Sequence, residues 1–215
     1  MPDDKLTGPR TVKVDSHYLD LIFEKLDPWL NYQPFPPGYR ISFSRDTAPR
    51  LYFIRTGVIS VSRQPDDILI DIITAPTLRG LIPLHPESSS VYTLKVMLSA
   101  EIAVMDREEF YKKLTEFNLW ENFSRHLQLS CSAAVEVILK LTSPSVYDGV
   151  RFQLYELMGK PEQVRNSISA ETYIRGKLRF SRSAVLRVLA DLKTGGYIVM
   201  ERGYLKEIRK IPRRY

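Results

Sequence analysis

Apolar positions change period twice along this chain. From Ser16 to Leu26, Tyr18, Leu19, Ile22, Phe23 and Leu26 recur at helical spacing, which predicts a helix that ends at Asp27-Pro28. Pro34 and Pro36-Pro37-Gly38 then read as a turn-rich connection, and residues 1–14 as a loose arm. From Tyr39 to Asp106 the pattern shortens to that of strands. Tyr39–Phe43 alternates. Leu51–Arg55 and Val58–Ser62 flank Thr56-Gly57, which suggests a hairpin or a close backbone contact. Ile68–Ile73 is another strand, and Val91–Met97 and Glu101–Met105 make a further pair. Many short strands with turn signals between them predict a sandwich or barrel.

From Arg107 onward the helical period returns. Asp106 can cap a helix to Thr115. A longer helix follows from Leu119 to Leu141. Trp120, Phe123, Leu127, Cys131, Ala134, Ile138 and Leu141 lie three or four residues apart, close to a heptad seam. That seam could pack within one chain; self-association is preferred, because a long helix joining two domains has little surface of its own domain to cover. Ser143-Pro144-Ser145 breaks it as a hinge, and Val146–Met158 and Ser169–Leu178 follow as helices.

The stretch after Phe180 carries the most information. Ser181 is a candidate N-cap, and Val185, Val188, Leu189 and Leu192 form one apolar stripe. Arg182, Ser183 and Arg187 fall off that stripe in the first two turns. A helix entering the DNA major groove needs this layout, because its N-terminal residues reach the base edges. Gly195-Gly196 supplies positive-φ residues to end the helix. Tyr197–Met200, a turn at Glu201-Arg202-Gly203, and Tyr204–Ile208 then make a hairpin wing.

Charge supports the same reading. The net charge is +6, but residues 146–215 hold fifteen Lys/Arg against seven Asp/Glu, and the remainder sixteen against eighteen. A basic C-terminal third beside a mildly acidic remainder points to a polyanionic partner for that third alone. With 44% hydrophobic residues among 215, the chain can bury a core, yet no apolar run is long enough to cross a membrane. The charged start Met1-Pro2-Asp3-Asp4-Lys5 lacks a signal-peptide apolar region, so a cytoplasmic location and no membrane partner are expected.

The order of β-domain, long helix, hinge and winged helix resembles the CRP/FNR superfamily of transcription regulators over most of the chain. The run Ser181-Arg182-Ser183-Ala184-Val185-Leu186-Arg187-Val188-Leu189 resembles that family's Ser-Arg-x-x-Val-x-Arg-x-Leu recognition helix. Pro37-Gly38 and Phe53-Ile54-Arg55-Thr56-Gly57-Val58-Ile59-Ser60-Val61 resemble its N-terminal β-roll. Ser181-Arg182-Ser183 with Val185, Tyr197-Ile198 and the tail from Ile211-Pro212 to Tyr215 are similar to the type known as inhibitor of hydrogen peroxide resistance. The resemblance implies an α+β chain. It would have a cyclic-nucleotide-binding-like β-roll at 15–118, a dimerisation helix at 119–142 and a winged helix-turn-helix at 146–215.

By that resemblance, Arg182 and Arg187 read bases; Ser181, Ser183, Lys177, Arg179 and the wing residue Arg202 are expected to contact phosphate or sugar. Ser183 stands where many members have Glu, so the half-site should differ from the common one. Arg179 occupies a turn position where Gly is usual. The partners implied are double-stranded DNA and a second copy of the chain, with RNA polymerase a candidate further one. The nearer resemblance adds a link to oxidative stress.

The effector region departs most from the family. Arg79-Gly80-Leu81-Ile82-Pro83-Leu84 keeps the Gly of the phosphate cassette but has no Glu before Glu87, and Ser88-Ser89-Ser90 lacks the later Arg. A buried cyclic phosphate needs a cation or several donors, so cyclic-nucleotide dependence is not expected. The three serines read first as a flexible surface loop, with Gly80, Ser88, Ser89 and Ser90 a weak candidate pocket for an unidentified effector. One cysteine excludes an iron–sulfur cluster. His17, His85 and His126 are scattered and read as surface or packing residues, so no cofactor or metal is expected. Cys131 reads as a small buried hydrophobe, with oxidation across a dimer axis as the alternative. No catalytic motif is present, so an enzyme is not expected. The competing functions are a small-molecule-binding module and a protein–protein adaptor that keeps the fold without sequence-specific DNA binding.

Overall fold

A computed structural model describes residues 17–43, 49–81, 91–141 and 145–212. Two compact units divide inside one long helix, with Val14–Ser132 in one and Ala133–Tyr215 in the other.

The first unit is built on two long antiparallel strands, β3 (Arg50–Gln64) and β6 (Val91–Asp106). β4 (Ile68–Thr74) and β5 (Thr77–Arg79) pair with β3, while β1 (Gln33–Phe35) and β2 (Arg40–Phe43) pair with β6. The expected separate strands around Thr56-Gly57 are therefore one 15-residue strand, and the expected pair 91–97 and 101–105 is one 16-residue strand. Gly57 marks a bulge rather than a hairpin. Its φ is +106°, and a Cβ there would lie 2.6 Å from that of Ala100. The pairing register shifts on both sides of Thr56, which lets the strands bend without separating. The Pro34 segment is also an edge strand rather than a turn, a place where a missing N–H is tolerated.

The two strand halves serve two cores. Leu51, Phe53, Ala103 and Met105 pack with Leu19, Ile22 and Leu26 of α1 (His17–Leu26) and Phe110 and Leu114 of α2 (Arg107–Glu116). Ile54, Ile59, Val61, Leu94, Val96, Ala100 and Ile102 form the other, with Phe43. Asp106 caps α2 as expected, accepting from the Glu108 and Glu109 amides at 2.9 and 3.4 Å.

The long helix α3 (Trp120–Leu141) changes role along its length. Phe123 is buried in the first core, and Leu127 packs against it. These two seam positions serve the β-rich unit. Trp120, Cys131, Ala134 and Ile138 are exposed, Ile138 at 60%. Cys131 is thus not the buried hydrophobe expected, because the helix has run past the core that Leu127 closes.

The second unit contains α4 (Val146–Met158), α5 (Glu162–Ser167), α6 (Ala170–Lys177), α7 (Arg182–Thr194) and the hairpin β7 (Ile198–Glu201)–β8 (Tyr204–Ile208). α5 was not expected; with Val164 as its one buried residue, it carries no helical periodicity. Fully buried Val150, Leu154, Tyr173, Ile174, Val185, Leu192 and Leu205 bring three helices and the hairpin onto one core. Among the described residues no helix is long and apolar enough to cross a membrane, and no group of three His, Cys, Asp or Glu could hold a metal ion.

Candidate nucleic-acid interface

α6 and α7 each begin on a serine cap. Ser169 Oγ accepts from the Thr172 amide at 3.1 Å, and Ser181 Oγ accepts from the Ala184 amide at 3.2 Å. Both serines satisfy helix amides that would otherwise lack partners. Leu178, Arg179 and Phe180 connect the helices, and the Phe180 ring packs where Gly149 of α4 has no side chain: a Cβ there would lie 2.7 Å from the ring. α7 buries Val185, Leu189 and Leu192 and exposes Arg182, Ser183, Leu186 and Arg187.

The end of α7 is a Schellman motif. The Tyr197 amide donates to the Leu192 carbonyl at 2.9 Å, and the Gly196 amide to that of Lys193 at 3.0 Å. Only Gly196 adopts positive φ, +71°; Gly195 stays right-handed at −72° and leaves room for the Tyr197 ring. The hairpin turn has positive φ at both central residues, +50° at Arg202 and +88° at Gly203, the pairing whose twist matches adjoining strands. The Gly203 carbonyl accepts from the Ala170 amide at 2.9 Å, tying the wing turn to the start of α6. Arg202 is exposed on that turn.

The predicted contact residues fall into two groups. Arg179, Ser181, Arg182, Ser183, Arg187 and Arg202 are all exposed on the second unit. Lys177 is not available. Its side chain is 3% exposed, and its ammonium meets the Glu156 carboxylate on α4. Tyr173 also donates to that carboxylate, at 2.7 Å. A buried ammonium with a buried counter-ion cannot reach a phosphate without breaking the pair, so Lys177 leaves the set of contact residues.

One residue absent from that set belongs beside it. Glu171 on α6 accepts from Arg175 at 2.9 Å and lies 3.4 Å from Arg182 Nε. The Glu171–Arg175 spacing of four is visible in sequence, whereas the contact with Arg182 depends on how α6 and α7 pack.

Of the weak pocket residues, only Gly80 lies among the described residues. Ser88, Ser89, Ser90 and His85 lie outside them. Gly80 has φ +88°, and a Cβ would lie 2.2 Å from the Arg50 carbonyl oxygen. Close backbone approach accounts for this glycine without a ligand. Its carbonyl accepts from Arg107 Nη2 at 3.0 Å. His126 is 5% exposed, and burial first, then the charge of Arg79, pushes its pKa down. It is a packing residue, as expected.

Residues 146–213 match the family described as winged helix-turn-helix DNA binding. The chain is 28% identical over 207 residues to the inhibitor of hydrogen peroxide resistance of Escherichia coli K12, spanning 90% of this chain and 95% of that one. It is also 28% identical over 173 residues to the protein of the same name from Salmonella typhimurium, spanning 76% and 79%. Among solved structures it is similar to the c-di-GMP responsive global regulator CLP of Xanthomonas campestris, with TM-score 0.64, 17% identity and coverage of 90% and 100%. A putative transcriptional regulator of the crp/fnr family from Eubacterium rectale gives TM-score 0.61 at 14% identity, covering 88% and 90%. The C-terminal part thus matches a winged helix-turn-helix family model, and the chain shares the fold of these solved regulators, a β-rich domain followed by a helical one.

Proposed function

We propose that this chain is a sequence-specific DNA-binding transcription regulator that acts as a homodimer. The observation that carries the reading is the face of α7 that exposes Arg182, Ser183 and Arg187 from a capped first turn, on a domain with a large excess of positive charge. Arg182 and Arg187 donate to base edges in the major groove, and guanine, with two adjacent acceptors, is the best match for each fork. Ser181, Ser183, Arg179 and the wing residue Arg202 hold the sugar-phosphate backbone and set the register.

The exposed part of α3, with Cys131, Ala134, Val135 and Ile138, forms the dimer contact, to which exposed Trp120 would add; the side chain of Leu141, the last residue of the seam, lies outside the described ones. A two-fold dimer then reads a pseudo-palindrome whose half-sites lie about one DNA turn apart, ~34 Å. The relatives' name supports a role in peroxide resistance. The missing cassette Glu and Arg support regulation without a cyclic nucleotide.

Selection of genomic fragments by the purified protein at near-physiological salt tests this reading. Enrichment of one palindromic site by the native protein, lost in the Arg182→Ala/Arg187→Ala protein, is the expected result. Equal recovery of unrelated fragments by both proteins would contradict it.

A further inference from the structure

The outer face of α7 carries one large side chain that cannot donate or accept a hydrogen bond, Leu186. Positions 182, 183, 186, 187 and 190 share an arc of a 3.6-residue helix that adjoins the arc of buried Val185, Leu189 and Leu192. All five are exposed: Arg182, Ser183, Leu186, Arg187 and Ala190. Leu186 leaves 43% of its surface open. Its exposed neighbours one turn away on that face include Ser183 and Ala190, both short, so the isobutyl group projects from a shallow part of the helix surface. A single exposed leucine is ordinary on a protein surface. Its place here is informative, because it stands between Arg182, one turn before it, and Arg187, on the face assigned above to base edges.

The major-groove edges offer donors and acceptors at every base, and a single apolar group, the C5 methyl of thymine. Opposite any other base, the leucine would cover a polar edge and leave it unpaired. Opposite thymine it excludes water from a methyl group. One residue of helix advances about 1.5 Å along the axis, so Leu186 faces the base pair read by Arg187 or its immediate neighbour.

We infer that Leu186 is a specificity-determining residue that packs on the C5 methyl of a thymine next to the base read by Arg187. The assignment rests on the DNA-binding reading above. It adds a required thymine to each half-site, at a position where hydrogen-bond donors alone would not demand one.

Replacing each thymine of the selected site singly by deoxyuridine tests it, since only the methyl group is removed. The native protein should lose about fourfold in affinity at one thymine per half-site, the worth of burying one methyl group. Leu186→Ala should bind the thymine and deoxyuridine sites within a factor of about two of each other. Thermal unfolding of the variant checks that the domain stays folded, as expected for an exposed side chain. A selected site with no methyl dependence, or the same loss in both proteins, overturns the Leu186 assignment alone. Failure of the native protein to select any site overturns the DNA-binding reading and the assignment with it.

Discussion

The Lys177 ammonium meets the Glu156 carboxylate inside the winged domain, joining the end of α6 to α4 beneath the surface that faces solvent. Tyr173 donates to the same carboxylate, and Lys160 stands 4.0 Å away at its rim. Removing Lys177 would leave that buried carboxylate with only the Tyr173 hydroxyl and the more distant Lys160 against it. Lys177→Ala should therefore destabilise the domain by about 3–5 kcal/mol, measured by denaturant unfolding. Below its unfolding transition the variant should keep the native salt dependence of DNA binding. A salt slope lower by about one would instead mean that Lys177 contacts phosphate.

Glu171 lies against Nε of Arg182, while both side chains reach solvent, Arg182 at 69% and Glu171 at 20%. An exposed pair contributes little to stability, about 1 kcal/mol at most. Its effect should appear in recognition, because a guanidinium held at Nε has its two terminal nitrogens oriented as a fork. Glu171→Gln should leave unfolding nearly unchanged and weaken discrimination at the base pair that Arg182 reads. Competition between the cognate site and a site substituted at that base pair measures this. Unchanged discrimination would remove the orienting role.

The two ends of α3 should respond differently to substitution. Phe123 is buried in the β-rich unit, so Phe123→Ala should cost about 3–5 kcal/mol of that unit's stability. Ile138 is exposed, so Ile138→Glu should leave the secondary structure intact and shift the protein to monomer in sedimentation. A dimer that survives Ile138→Glu, and Val135→Glu as well, would place the interface elsewhere.

Burial and the nearby Arg79 lower the His126 pKa, so the unfolded chain takes up the proton first as pH falls. Stability of the β-rich unit should be level above roughly pH 6.5, the value of an unperturbed histidine, and decline below it. His126→Leu should flatten that decline, which unfolding measured across the range would show. A decline of the same size in both proteins would assign it to other groups.

Features set by neighbouring residues were legible in the sequence. The Asp106 and Ser181 caps need only amides two or three residues on, and the apolar stripe of α7 needs only its own spacing. Gly57 looked equally like a turn or a contact, because the deciding atom belongs to Ala100, on the partner strand. Phe123 and Ile138 sit on one heptad-like seam. Spacing identifies the helix face, but which surface covers each turn depends on where the β-rich core ends. Lys177 resembles any basic residue in the last turn of a helix; only the arrival of Glu156 from α4 turns it inward. The basic face of α7 was readable because its residues fall off the apolar stripe of their own helix and stay exposed, although the Glu171 contact from α6 was not.

The most direct measurement compares native protein and Arg187→Ala on the selected site and on sites changed at one base pair each. A loss of about 1–3 kcal/mol on the cognate site, with discrimination abolished at a single position, is what base reading by α7 predicts. The same loss on every sequence would mean that Arg187 touches only phosphate and that α7 does not read the site.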